Sequence, residues 1–115
     1  MARKVRRSGL GGLGGLDPMA LLQQVQQQMD AIQKEIAASQ VEGSAGGGVV
    51  RVVMSGDQRV LAVHLDPDLV AEGDVDMLQD LLVTAFNQAA DAARKLAEEK
   101  MGPLNSMLGG LGLPL

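Results

Sequence analysis

The sequence predicts a mixed α/β (α+β) chain: a long helix, a small antiparallel sheet built on a β-hairpin, a short helix and a second long helix. Three observations carry that prediction. Two β-branched runs, Val49–Met54 and Arg59–Leu65, flank a polar Ser55-Gly56-Asp57-Gln58 break. That is a hairpin pattern, in which valine suits the pleat and glycine supplies the turn. Apolar residues recur at alternating spacings of three and four on both sides of the hairpin, which is helical periodicity with a heptad seam. An Asp-Pro pair stands at Asp17-Pro18 and again at Asp66-Pro67, joining an N-cap acceptor to a residue whose fixed φ suits a first helical turn.

Taken in order, residues 1–16 form a basic, Gly/Leu-rich arm that cannot hold a fixed backbone cheaply and is expected to be disordered. Residues 17–101 are expected to be the compact domain, and 102–115 a flexible Gly/Leu/Pro tail. The helix opened by Asp17 places Leu22, Val25, Met29, Ile32 and Ile36 on its seam, with glutamines between them on a solvated surface. It should fade near Ser39-Gln40. Val41–Ala45 reads equally as a linker or as a short strand. Gly46-Gly47-Gly48 precedes a strand rather than a helix, so a phosphate cradle is excluded and close approach of another backbone, or a bulge, is expected.

Within the hairpin, Val50, Val52 and Met54 fall on one face and Val49, Arg51 and Val53 on the other. The second strand sorts into Leu61, Val63 and Leu65 against Val60, Ala62 and His64. Both faces are largely apolar, and a two-stranded ribbon of that kind must be covered. After Asp66-Pro67, Gly73 closes a short helix and Asp74 caps the last one. There Val75, Leu78, Leu82, Ala85, Ala89, Ala92 and Leu96 make a second seam, which Leu81 and Phe86 widen near its start. Beyond Ala89 the stripe narrows to small residues. Ala90–Met101 is therefore expected as an exposed arm or partner-facing rod, ended by Gly102-Pro103.

Composition narrows the function classes. With 115 residues, and nine of the fifteen glycines near the two ends, the compact part is small and is expected to complete its core with a second copy. The hairpin residues Val49, Val50, Val52, Met54, Val60, Leu61, Val63 and Leu65 are the candidates for that interface. One Phe, no Trp and no Tyr argue against stacking platforms for single-stranded nucleic acid. The lack of cysteine excludes disulfides and thiolate metal sites. Met1–Arg7 resembles a signal-peptide head, but no apolar core follows it, and no stretch approaches the ~20 apolar residues that span a bilayer. A cytoplasmic chain with no membrane partner is expected.

Little here can do chemistry. His64 is the single histidine and reads as an ordinary strand-face residue. Asp66, Asp68, Glu72, Asp74 and Asp76 lack the glycine and glutamate positions of an EF-hand loop, and two of them are helix caps. No enzyme activity, metal, cofactor or small-molecule substrate is expected. The net charge is −4, yet residues 1–16 hold Arg3, Lys4, Arg6 and Arg7 with no acid, while 57–80 hold seven acids and one arginine. Local potential rather than the sum decides binding. The basic arm is therefore a candidate for phosphate contact.

Val41–Val52 with its glycine triplet, then Ser55-Gly56, then Val63-His64-Leu65-Asp66-Pro67, resembles the bacterial YbaB/EbfC nucleoid-associated family. So do Leu78–Leu82 with Ala85-Phe86-Asn87 and the closing Glu99-Lys100-Met101. The resemblance covers roughly 17–101 and implies a tweezer-like α/β homodimer joined through the sheet region, with projecting helices that bind duplex DNA with little sequence preference. It also implies that Val41–Ala45 is a strand. Lys34, Arg94, Lys95 and Lys100 are the helix positions that would inherit DNA contacts. Two departures stand out: the first helix is glutamine-rich where relatives commonly carry lysines, and a basic Gly/Leu arm precedes it.

The expected function is thus a nucleoid-associated homodimer that holds double-stranded DNA, with effects on compaction or gene regulation. A rival reading is a prefoldin-like chaperone or interaction module. In that case Met101, Leu104, Met107 and Leu108, exposed near a helix tip, would grip unfolded clients.

Overall fold

The computed structural model describes residues 17–110, with side chains described as far as Ser106. The chain runs α1 (Pro18–Ala38), β1 (Gln40–Ala45), a short turn at Gly46–Gly48, β2 (Val50–Ser55), β3 (Val60–Leu65), α2 (Pro67–Glu72) and α3 (Val75–Gly110). It divides into two units at Ala31/Ile32. The first contains most of α1. The second contains the end of α1, the sheet, α2 and α3.

The helix starts follow from local acceptors. Met19 N–H donates to Asp17 Oδ1 at 3.0 Å, Asp68 N–H to Asp66 Oδ1 at 2.8 Å and Met77 N–H to Asp74 Oδ1 at 3.0 Å. Each carboxylate satisfies one of the amides that a helix N-terminus leaves without a partner. Gly73 closes α2 in the left-handed conformation at φ 75°. On the α1 seam, Ile36 is buried, Val25, Met29 and Ile32 are half-buried, and Leu22 is exposed.

The three strands form one antiparallel sheet in the order β1-β2-β3. Val41–Ala45 is therefore strand, and β1 begins one residue earlier, at Gln40. Gly43 faces Val52 and Val52 faces Val63 across the sheet, so these three share one face. That face carries the core: Ala45, Val50, Val52, Met54 and Leu69 pack with Ala85, Ala89 and Ala93 of α3. Val50 and Val52 are fully buried, and burying each valine contributes about 1.5–3 kcal/mol.

α3 lies mainly over β1 and β2, and Gly43 sets how closely. A methyl group there would stand 2.2 Å from the Ala85 carbonyl oxygen and 2.4 Å from the Ala89 amide nitrogen, so helix backbone rests on strand backbone. The close approach expected of the glycine triplet thus occurs at Gly43 instead. Gly46, Gly47 and Gly48 all have positive φ, at 65°, 75° and 99°. Around Gly47 and Gly48 the space is open, so backbone conformation rather than packing selects glycine there.

The structure departs from the sequence reading at three further places. In the β2–β3 turn the positive φ belongs to Gln58, at 65°. Gly56 is instead a contact glycine, where a side chain would meet the Ile36 carbonyl oxygen at 2.4 Å. An irregularity after Val53 then sets Met54 opposite Val60, so Val60 shares the face of Met54 and Leu61 is the extra residue of a bulge. Finally, α3 does not stop at Gly102-Pro103 but continues to Gly110. Proline inside a helix removes one hydrogen bond at a cost of ~3 kcal/mol. Leu104, buried to 3 % exposure one residue later, offsets much of that loss. Nor is Ala90–Met101 an exposed arm throughout, because Ala93 is fully buried in the core. The packed stripe runs Ala85, Ala89, Ala93, at four-residue steps rather than the alternating seam.

Candidate nucleic-acid interface

Nucleic-acid contact would fall to the cations. Arg3, Lys4, Arg6 and Arg7 lie outside the described residues. Of the other four candidates, Lys34 is exposed on α1, Arg94 and Lys95 are exposed on α3, and Lys100 is half-buried on α3. They do not make a single stripe. At about 100° per residue, Lys95 stands about 100° and Lys100 about 240° round the helix from Arg94.

Two of the four are already paired. Arg94 Nη2 donates to Asp91 Oδ1 at 2.9 Å, one turn away on the same helix. Lys100 Nζ donates to Glu35 Oε1 at 2.7 Å, joining the end of α1 to the far part of α3. Among the described residues Lys34 and Lys95 have no such carboxylate. Arg94 also borders a shallow cleft with Ile36, Gly56, Asp57, Gln58 and Ala97.

The sequence reading passed over Arg51 and Arg59. Arg51 faces His64 across β2–β3 and lies 4.0 Å from Glu42 on β1, so Glu42, Arg51 and His64 make a polar patch on the sheet face away from α3. Alternation with Val50 and Val52 is the signal that places Arg51 there. Arg59 is exposed beside the turn. Its backbone holds that turn together, donating to Ser55 Oγ at 3.0 Å and accepting from the Ser55 amide at 2.8 Å. The buried Ser55 hydroxyl donates to Asp57.

The hairpin interface candidates divide sharply. Val50, Val52 and Met54 are 0, 0 and 5 % exposed within the protomer's own core, so their side chains have almost no free surface. Val49 is half-buried. Val60, Leu61, Val63 and Leu65, on the edge strand β3, are 51, 50, 41 and 37 % exposed. The two sheet edges also differ, because on β1 the Ser44 amide donates to Gln88 Oε1 of α3 at 2.6 Å.

For client binding, Leu104 is buried and Met101 half-buried, while the side chains of Met107 and Leu108 lie outside the described ones. Among the described residues no three of the histidine, aspartate and glutamate side chains gather as a cation site. No helix there is long and apolar enough to cross a membrane.

The chain has many relatives of known family. It is 50 % identical over 93 residues to a nucleoid-associated protein of Chloroflexus aggregans, an overlap covering 81 % of this chain and 93 % of that one. A nucleoid-associated protein of Corynebacterium glutamicum is 50 % identical over 93 residues, covering 81 % and 90 %. One from Mycolicibacterium vanbaalenii is 48 % identical over 96 residues, covering 84 % and 87 %. In fold, the chain resembles the crystal structure of the uncharacterized protein HP0035 from Helicobacter pylori, with a TM-score of 0.66 at 21 % identity, covering 81 % of this chain and 98 % of that one. The model of the YbaB/EbfC DNA-binding family matches residues 13–108. This chain belongs to the YbaB/EbfC DNA-binding family.

Proposed function

We propose that the protein is a nucleoid-associated homodimer that binds duplex DNA with little sequence preference and acts in DNA compaction or gene regulation, without catalysis. The observation that carries this reading is the family match across 13–108, with relatives at about half identity. Residence in the cytoplasm, at the nucleoid, follows from the same reading.

The exposed apolar row on β3 supports a dimer. Val60, Leu61, Val63 and Leu65 are each already half-covered or nearly so. Completing their burial against a second copy would contribute about 1 kcal/mol each. In this reading these four form the interface, with Val49 at its margin.

The positive arm supports DNA contact by an acidic chain. Arg3, Lys4, Arg6 and Arg7 give four charges per chain, hence eight per dimer. Duplex DNA presents one negative charge per ~1.7 Å, and neutralising phosphates releases counterions. Lys34, Arg94, Lys95 and Lys100 add a second set on the helices. With one aromatic residue in the chain and no cationic stripe on α3, base-edge readout has little to work with.

Sedimentation combined with an electrophoretic shift tests the reading. A dimer that retards duplexes of unrelated sequence alike is expected. A folded monomer at micromolar concentration would remove the dimer, and strong preference for one duplex would remove the non-specific mode.

A further inference from the structure

The ion pair between Glu35 and Lys100 has a consequence for binding strength. Its partners are 65 residues apart in sequence, on different helices, with Lys100 Nζ 2.7 Å from Glu35 Oε1. Glu35 occupies the last turn of α1, which carries no basic residue. A carboxylate is unfavourable at that end of a helix dipole, so the stability of α1 does not account for an acid there. The turn is well anchored. Ile36 is buried beside it, and the Glu35 carbonyl oxygen accepts from Ser39 Oγ at 2.7 Å. The backbone that carries Glu35 is thus fixed, so pairing costs mainly the freedom of the two side chains.

A lysine ammonium is a compact point charge that binds carboxylate and phosphate oxygens by the same chemistry. We infer that Glu35 is an internal competitor for DNA: its carboxylate occupies Lys100 where a backbone phosphate would otherwise bind, and so holds down the affinity of the helix surface for duplex DNA. Binding through Lys100 must break the pair and leave the Glu35 charge, 56 % exposed at the side chain, close to the incoming phosphate. Asp91 is a weaker case, because its pair with Arg94 is local to one helix turn on an exposed surface. The inference rests on the DNA-binding reading above.

The test is a double-mutant cycle on the full chain, read by fluorescence anisotropy with a labelled mixed-sequence duplex in low salt. Glu35→Gln removes the competitor but keeps the side chain's shape. It should tighten binding about two- to fivefold and steepen the salt slope by up to about 0.9, the increment for one more neutralised phosphate. Lys100→Met breaks the same ion pair and should weaken binding. In a Lys100→Met background, Glu35→Gln should change nothing further. A purely structural clasp would make both single variants shift affinity in the same direction, and that result overturns the inference. Equal tightening by Glu35→Gln with and without Lys100 also overturns it, since the effect would then be general charge. A wild-type chain that binds while Glu35→Gln leaves its affinity unchanged defeats this inference alone. A wild-type chain that fails to bind defeats the reading beneath it.

Discussion

The α-carbon of Gly43 rests against the backbone of Ala89, so that a methyl group on Gly43 would come within 2.4 Å of the Ala89 amide nitrogen. This close approach fixes the spacing between β1 and α3, and through it the depth at which Val52 is buried. Gly43→Ala should therefore destabilise the fold by about 1–3 kcal/mol through overpacking. Ala89→Gly should not rescue it, because the clash is with backbone atoms that every residue carries. Denaturant melts of the single and double variants check both statements.

Val52 and Val63 face each other across β2–β3, yet one is fully buried and the other 41 % exposed. Val52→Asp should cost several kcal/mol and abolish the fold, because an unpaired carboxylate would be buried in the core. Val63→Asp should leave the helical circular dichroism intact and shift sedimentation from dimer to monomer. A Val63→Asp chain that stays dimeric would place the interface elsewhere.

Gln58 holds a positive φ that glycine adopts freely. Gln58→Gly should be neutral or stabilising by a few tenths of a kcal/mol, and Gln58→Val should destabilise by about 1–2 kcal/mol. Thermal melts of the two variants should bracket the wild type.

Much of this fold was legible because its signals are local. The caps at Asp17, Asp66 and Asp74 act two or three residues away, so the residue types alone announced three helix starts. β1 was not legible from pattern, because Gly43, Ser44 and Ala45 lack strand-forming side chains. Gly43 is there to admit α3, a tertiary demand, and only the family resemblance pointed to a strand. α3 continues past Pro103 to Gly110, with Leu104 buried just beyond the proline, and that burial is a tertiary feature no local rule contains. At the candidate site the cations were visible as residues, but the partner that neutralises Lys100 lies 65 positions away. The sorting of hairpin residues into Val50, Val52 and Met54 inside and Val60, Val63 and Leu65 outside likewise needed to know that α3 covers only part of the sheet.

The basic arm makes its own prediction. Changing Arg3, Lys4, Arg6 and Arg7 to alanine should weaken duplex binding equally across sequences. The slope of log affinity against log salt should shrink by roughly 0.9 for each phosphate that is no longer neutralised. Changing Arg94, Lys95 and Lys100 together should have a smaller effect, because acids already pair Arg94 and Lys100. An unchanged slope after removal of residues 1–9 would contradict the role of the arm and leave that of the helices.

If this acidic chain holds duplex DNA mainly through the phosphates, its binding must be steeply salt-dependent and nearly indifferent to sequence. Anisotropy titrations of the intact protein against two duplexes of unrelated sequence, from about 50 to 200 mM salt, measure both properties at once. Similar affinities for the two duplexes and a steep common loss as salt rises are expected. No binding even at about 50 mM salt, or an affinity indifferent to salt, would contradict binding through the phosphates.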